Sequence, residues 1–328
     1  MQIFEDLIGN EEIKNTLGNA ILNSTFSHAY IIEGNEGTGK RTLARMAAAA
    51  IICKSKTSRP CGTCESCRKI LAGKSVDVIS QEITKVEQVR ELKATINNSP
   101  SEYDYKIYII ENAQKMTIKA QNALLISLEE PPSDVIFFLL VNDAGSLLET
   151  IRSRAITVHM SMLSRDILFD QLKNVYKVQH TDEEINEIVM ASNGSLGQAL
   201  NLANIQDTDS LKNRRELSLK LAVSLLKNDS ESIKFLYTLS STTREELKDI
   251  LNDAANATID LMTLKKDKNA DVYFFSSKED AIKLSSQFSP QKILSVYNSI
   301  NEAYDDLLSN SNVMSTLFYA SVKSKKGL

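Results

Sequence analysis

Residues 28–42 read HAYIIEGNEGTGKRT: an apolar run, a glycine-rich turn, then Lys40 at the head of the helical pattern RTLARMAAAAIIC. Strand, loop and helix in that order is the setting in which G-x-x-x-x-G-K acquires meaning, because backbone amides at the helix N-terminus and the lysine together cradle phosphate oxygens. Gly34, Gly39 and Lys40 fit the spacing, and Gly37 adds a second point where the backbone can approach a phosphate. The next residue should be Ser or Thr, whose hydroxyl holds Mg²⁺. It is Arg41 here, and Thr42 comes one residue late. One position on a helix is a rotation of about 100°, so Thr42 is expected to point away from where the metal would sit.

Working outward, VDVISQ (76–81), KIYIIEN (106–112), VIFFLLVN (135–142) and AITVHM (155–160) are continuous apolar runs like HAYIIEG (28–34). Strands buried on both faces of a parallel sheet read this way. Helical patterns lie between them, such as QNALLISLEE, where Ala120, Leu124 and Leu128 recur at i+4 and Pro131-Pro132 ends the repeat. The expectation is an α/β domain over residues 1–163, a parallel sheet with helices on both faces. Residues 164–207 read as a small helical unit, with Thr181 and Glu184 as a capping box and Asn193-Gly194 as a stop. From Gln198 to Lys326 there is no glycine and a single proline, Pro290, so 208–328 is expected to be all helix. Its clearest stripe is Ile293, Val296, Tyr297, Ile300, Tyr304, Leu307 and Leu308, which serves as core or as an interface between chains.

The acid-side partner for a metal should follow the run KIYIIEN. The expected Asp-Glu pair appears there as Glu111-Asn112, and Asn112 cannot act as a base. Hydrolysis needs both the metal and a residue that positions water, so two separate parts of that apparatus are altered.

All four cysteines, Cys53, Cys61, Cys64 and Cys67, fall in one short segment spaced C-x7-C-x2-C-x2-C. Four converging thiolates suit tetrahedral Zn²⁺, and a filled coordination sphere makes such a site structural rather than catalytic. Free buried cysteines and a C-x-x-C redox pair are the other readings. The chain of 328 residues is 42% hydrophobic with a formal net charge of −4, which argues against a strongly basic nucleic-acid binder acting alone. The run VIFFLLV is far short of the ~20 residues that span a bilayer. MQIFEDLIGN shows no apolar signal region, so a cytoplasmic location with no membrane partner is expected.

DLIGNEEI, HAYIIEGNEGTGK, the four-cysteine insert, KAQNALLISLEEPP and ETIRSRA together resemble the AAA+ clamp-loader subunits of bacterial DNA polymerase III over essentially the whole chain. The resemblance implies a P-loop AAA+ domain, a helical lid and an all-helical collar that joins subunits in a ring. It also implies the partners: tau/gamma motor subunits, the delta subunit, and through them the sliding clamp, the polymerase and primed DNA. The family's Ser-Arg-Cys motif stands here as Ser153-Arg154-Ala155, which makes Arg154 the candidate arginine finger acting in trans on a neighbour's ATP. The motor's sensor arginine would fall at Gly197. Arg41, Asn112 and Gly197 together resemble the delta-prime branch: a scaffold without ATPase activity of its own, within the DNA-directed DNA polymerase III holoenzyme, with ATP or ADP binding left open. The alternatives are a working tau/gamma-like ATPase, with Thr42 and Glu111 as metal ligands, and a stand-alone zinc-dependent DNA-binding module.

Overall fold

The computed structural model describes residues 2–4, 7–56, 58–204, 208–309 and 311–325. The chain divides into two compact units, Met1–Leu163 and Ser164–Leu328. The boundary expected at 207/208 within the second unit falls beside residues outside the described ones.

In the first unit the elements run β1 (Gln2–Ile3), α1 (Glu11–Leu22), β2 (Ala29–Glu33), α2 (Lys40–Ile52), β3 (Ser58–Arg59), α3 (Glu65–Leu71) and β4 (Val78–Glu82). They continue with α4 (Val86–Ile96), β5 (Lys106–Glu111), α5 (Ile118–Glu129), β6 (Val135–Val141), α6 (Glu149–Arg152) and β7 (Ile156–His159). Among the described residues five strands form one parallel sheet in the order β4-β5-β6-β2-β7. The apolar runs read from sequence correspond to these strands with ends shifted by one or two residues.

The strand side chains alternate between two cores. Tyr30, Ile32, Ile107, Ile109 and Phe138 pack with α1 and α2 on one face, while Ile31, Tyr108, Ile110, Phe137 and Leu139 pack with α4 and α5 on the other. One aromatic pair braces each face: Tyr30 stacks on Phe138 and Tyr108 on Phe137, each at 5.6 Å between centroids. Every residue of β6 is buried, which explains why VIFFLLV shows no alternation. The loop after β2 therefore opens at the carboxyl ends of the strands, where an α/β sheet reverses its winding and binds ligands.

A second, two-stranded parallel sheet pairs Gln2 with Ser58 and Ile3 with Arg59. Two residues per strand carry no periodicity, so nothing in the sequence announces it.

The second unit contains α7 (Arg165–Asp170), a π-helical turn (Gln171–Val175), α8 (Asp182–Ala191), α9 (Leu196–Ala203), α10 (Thr208–Lys227), α11 (Ser230–Leu239), α12 (Arg244–Lys266), α13 (Lys278–Ser286), α14 (Pro290–Leu308) and α15 (Val313–Lys325). No strand occurs there among the described residues. Thr181 with Glu184 forms the capping box read from sequence, and Thr243 with Glu246 forms a second at the start of α12. On α14, Ile293, Val296, Ile300 and Leu307 are buried as the stripe requires. Leu308 is not: it is 56% exposed at the helix end. Buried Asp260 of α12 accepts hydrogen bonds from the backbone N–H groups of Tyr273, Phe274 and Phe275. Arg165 donates to the carbonyls of Tyr273, Phe275 and Ser276, so the two charges clamp that loop from opposite ends of its peptide dipoles.

Candidate functional site

The sheet, loop and helix place the phosphate-loop residues together. Gly39 caps α2 at φ 93° and Gly37 has φ 79°, backbone conformations that a Cβ would strain. Gly34 is required for a different reason: a Cβ there would lie 3.0 Å from both Met160 Cβ and Met160 O, just beyond β7. Behind the loop, Leu43, Ala44 and the run Ala47–Ala50 are buried, and the small alanine side chains let α2 lie close on the sheet.

Lys40 folds back over the loop. Its Nζ donates to Gly34 O (2.5 Å), Asn35 O (2.9 Å) and Asn142 Oδ1 (2.9 Å). Burial pulls its pKa below the usual lysine value, and nearby Glu36 partly opposes that. Asn142 is a site residue that the sequence reading missed. Its position directly after the fully buried strand β6, beside β2, is the signal that could have found it.

Arg41, in the first turn of α2, points across to the end of β5. Its Nε lies 2.9 Å from Glu111 Oε1, an oxygen that also accepts from Ser80 Oγ of β4. Asn112 diverges from Glu111. It adopts a left-handed backbone conformation and donates through Nδ2 to Glu82 Oε2 at 3.0 Å. That bond and the Lys115 ion pair hold the Glu82 carboxyl below the usual range. Thr42 lies exposed on α2. Residues Glu111 and Asn112 are thus adjacent in sequence but serve different partners.

Across the loop, Glu33 at the end of β2 accepts from Ala144 N at 3.1 Å. Its other oxygen lies 2.7 Å from His159 Nδ1. Both residues stand at the carboxyl edge of the sheet, and no sequence motif marks them.

Arg154 follows α6, whose Ile151 is buried and fixes the turn. The side chain is 36% exposed, and its guanidinium rests on Glu129 Oε1 at 2.9 Å. It also donates to Thr150 O (3.0 Å) and Ser153 Oγ (3.3 Å). Buried Gln121 of α5 ties this corner down, accepting from Leu148 N at 2.8 Å and donating to the carbonyls of Met116 and Ser146.

The thiol ligand atoms of Cys53, Cys61, Cys64 and Cys67 lie within 4.8 Å of one another, so the four could hold a metal ion. A tetrahedron with Zn–S bonds of about 2.3 Å has S–S edges of about 3.8 Å, close to the 4.0 Å between Cys61 and Cys67. Backbone N–H groups of Cys64 and Cys67 donate to Cys61 Sγ and Cys64 Sγ, each at 3.4 Å. Such bonds favour thiolate over thiol. The donation from Cys64 is the chief reason that the Cys61 pKa falls to about 6. Cys67 is fully buried and its pKa is pushed up by desolvation. A cation among the four would favour the thiolate form. The residues present fit a structural metal.

Residues 9–164 match the family described as "DNA polymerase III, delta subunit". The chain is 30% identical over 263 residues to DNA polymerase III subunit tau of Escherichia coli (strain K12), covering 77% of this chain and 40% of that protein. It is 32% identical over 270 residues to subunit gamma of Buchnera aphidicola subsp. Schizaphis graminum, covering 76% of this chain and 74% of that protein. Among solved structures, a DNA polymerase III gamma subunit-related protein from Thermotoga maritima superposes with a TM-score of 0.46 at 19% identity, covering 95% of this chain and 99% of that one. This chain thus spans about two-fifths of the full-length tau protein and three-quarters of the shorter gamma. On these identities, the chain belongs to the family of DNA polymerase III clamp-loader subunits.

Proposed function

We propose that this subunit is the delta-prime type of clamp-loader component. In this reading it is a scaffold that does not hydrolyse ATP, supplies Arg154 to the ATP site of an adjacent motor subunit, and helps place the sliding clamp on primed DNA. The observation that carries the reading is the Arg41–Glu111 ion pair: a guanidinium stands where the hydroxyl ligand of Mg²⁺ should be, and it engages the nearest strand-end carboxylate. Gly197, in the first turn of α9 where a motor would carry its sensor arginine, points the same way. Arg154 supports the positive half of the proposal, being held at the surface by partners that a neighbour's phosphates could replace. The partners are then tau/gamma and delta, and through them clamp, polymerase and primed DNA, in the cytoplasm. No helix among the described residues is long and apolar enough to cross a membrane. Cys53, Cys61, Cys64 and Cys67 would hold one structural Zn²⁺, which stiffens the segment after α2.

The identities to tau and gamma favour a second reading, a working motor subunit. ATP hydrolysis by the purified chain separates the two. The scaffold reading expects no turnover above a Lys40→Ala control; sustained turnover abolished by that substitution establishes the motor instead.

A further inference from the structure

A phosphate loop of this kind ordinarily works with Mg²⁺, held by the hydroxyl after the lysine and by acids at neighbouring strand ends. The residues here do not fit that ion. Arg41 offers donors where a lone pair is needed, and Asn112 is spent on Glu82. Glu111, the remaining acid, already has a cation and a hydroxyl against the same oxygen. A dication placed there would meet a guanidinium held 2.9 Å from its would-be ligand.

The rest of the cradle is nevertheless built for an anion. Gly37 and Gly39 keep the backbone conformations that turn amides toward a phosphate. The first turn of α2 carries no acidic residue to repel one. Lys40 is partly buried and held over the loop by two of the loop's own carbonyls and Asn142. Arg41 is 55% exposed, and its contact with Glu111 runs through Nε. The terminal nitrogens of a guanidinium so anchored present further N–H donors in a planar fork, the geometry that matches phosphate oxygens two at a time.

We infer that Arg41 is a resident substitute for the divalent cation. The loop takes the polyphosphate of a nucleoside di- or triphosphate without metal, with the Arg41 guanidinium as fixed counter-ion and Glu111 as its anchor. The inference rests on the reading of this pocket as non-hydrolysing and adds what the pocket does instead. A guanidinium neutralises charge and fixes orientation, but it generates no metal-bound water, so occupancy without turnover follows from the same substitution.

Calorimetric titration of the full chain with ADP and with ATP, in EDTA and in excess Mg²⁺, tests it. The expected result is binding whose Kd differs by less than about threefold between the two conditions. Arg41→Ser should weaken binding in EDTA by about tenfold or more and recover it when Mg²⁺ is added, because the hydroxyl returns and Glu111 is released. Arg41→Lys, which keeps the charge and loses the fork, should fall between. Thermal melts of each variant control for folding. Wild-type binding that strengthens tenfold or more with Mg²⁺, or no binding by the wild type in either condition, overturns the inference about Arg41 while leaving the scaffold reading in place. ATP turnover by the isolated wild type overturns the scaffold reading itself.

Discussion

Arg154 Nη2 lies 2.9 Å from Glu129 Oε1, an ion pair between the turn after α6 and the C-terminus of α5, with both side chains open to solvent. A surface pair of this kind is worth about 1 kcal/mol or less. The guanidinium can therefore exchange Glu129 for a more negative partner at little cost. Arg154→Ala should leave the isolated chain's stability within about 1 kcal/mol of wild type. In the reconstituted complex it should slow ATP hydrolysis by about 10³-fold, the lower end for loss of an arginine finger. Steady-state hydrolysis by the complex, with subunit assembly checked by gel filtration, reads both; unchanged hydrolysis removes the trans role.

The cysteine cluster predicts about one Zn²⁺ per chain in protein purified without chelator, since four ligands close one tetrahedral sphere. Elemental analysis checks the content. Cys67→Ser should be more damaging than Cys61→Ser or Cys64→Ser, because this thiol on α3 is fully buried against the Ala49 carbonyl, where Cys61 and Cys64 are only partly covered. It should release the metal and lower the melting temperature of the first unit; metal content equal to wild type contradicts the assignment.

Asp253 on α12 gives a pH signature. Burial raises its carboxyl pKa to about 6, against the pull of Arg214 at 2.9 Å, and Asp249 adds to the rise. The folded chain thus keeps a proton that the unfolded chain has released. Its contribution to stability is fully present below about pH 4 and is lost as pH climbs through about 6, by up to roughly 3 kcal/mol. Denaturant unfolding of wild type and Asp253→Asn across that window should show the wild type losing stability relative to the variant as pH rises. Losing the Arg214 bond shifts the variant by an amount independent of pH, so the difference in slope is diagnostic. Parallel curves refute it.

Gln121→Leu should destabilise the first unit by about 2 kcal/mol, because the replaced amide leaves Leu148 N–H and the Met116 carbonyl without their partner in a buried site. Denaturant midpoints measure this. A loss under about 0.5 kcal/mol would mean that the α5–α6 corner is held by packing alone.

The sheet was legible because its strands are buried on both faces and its crossover helices end on explicit signals, such as Pro131-Pro132 after α5. The capping box at Thr181 was legible for the same local reason. The Arg41 substitution was visible at once, but its meaning was not: that it reaches Glu111 depends on β5 lying where α2 begins, a relationship between distant segments. Asn142, Glu33 and Gln121 escaped for the same cause, being ordinary polar residues until the fold sets the first two beside the phosphate loop and the third at the corner between α5 and α6. The pairing of β1 with β3 involves too few residues to pattern at all.

Helix α2 runs from Lys40 to Ile52, thirteen residues and about 20 Å of rigid rod, capped by Gly39 at one end and Cys53 at the other. One end is fastened by the lysine's grip on its own turn, and the other runs into Cys53, one of the four clustered thiols. Its buried alanines press it flat against the sheet and leave little slack for sliding between the two anchors. Loosening the sulfur end therefore does not remain a local event: it frees the far end of the lever that aims Lys40 and Arg41.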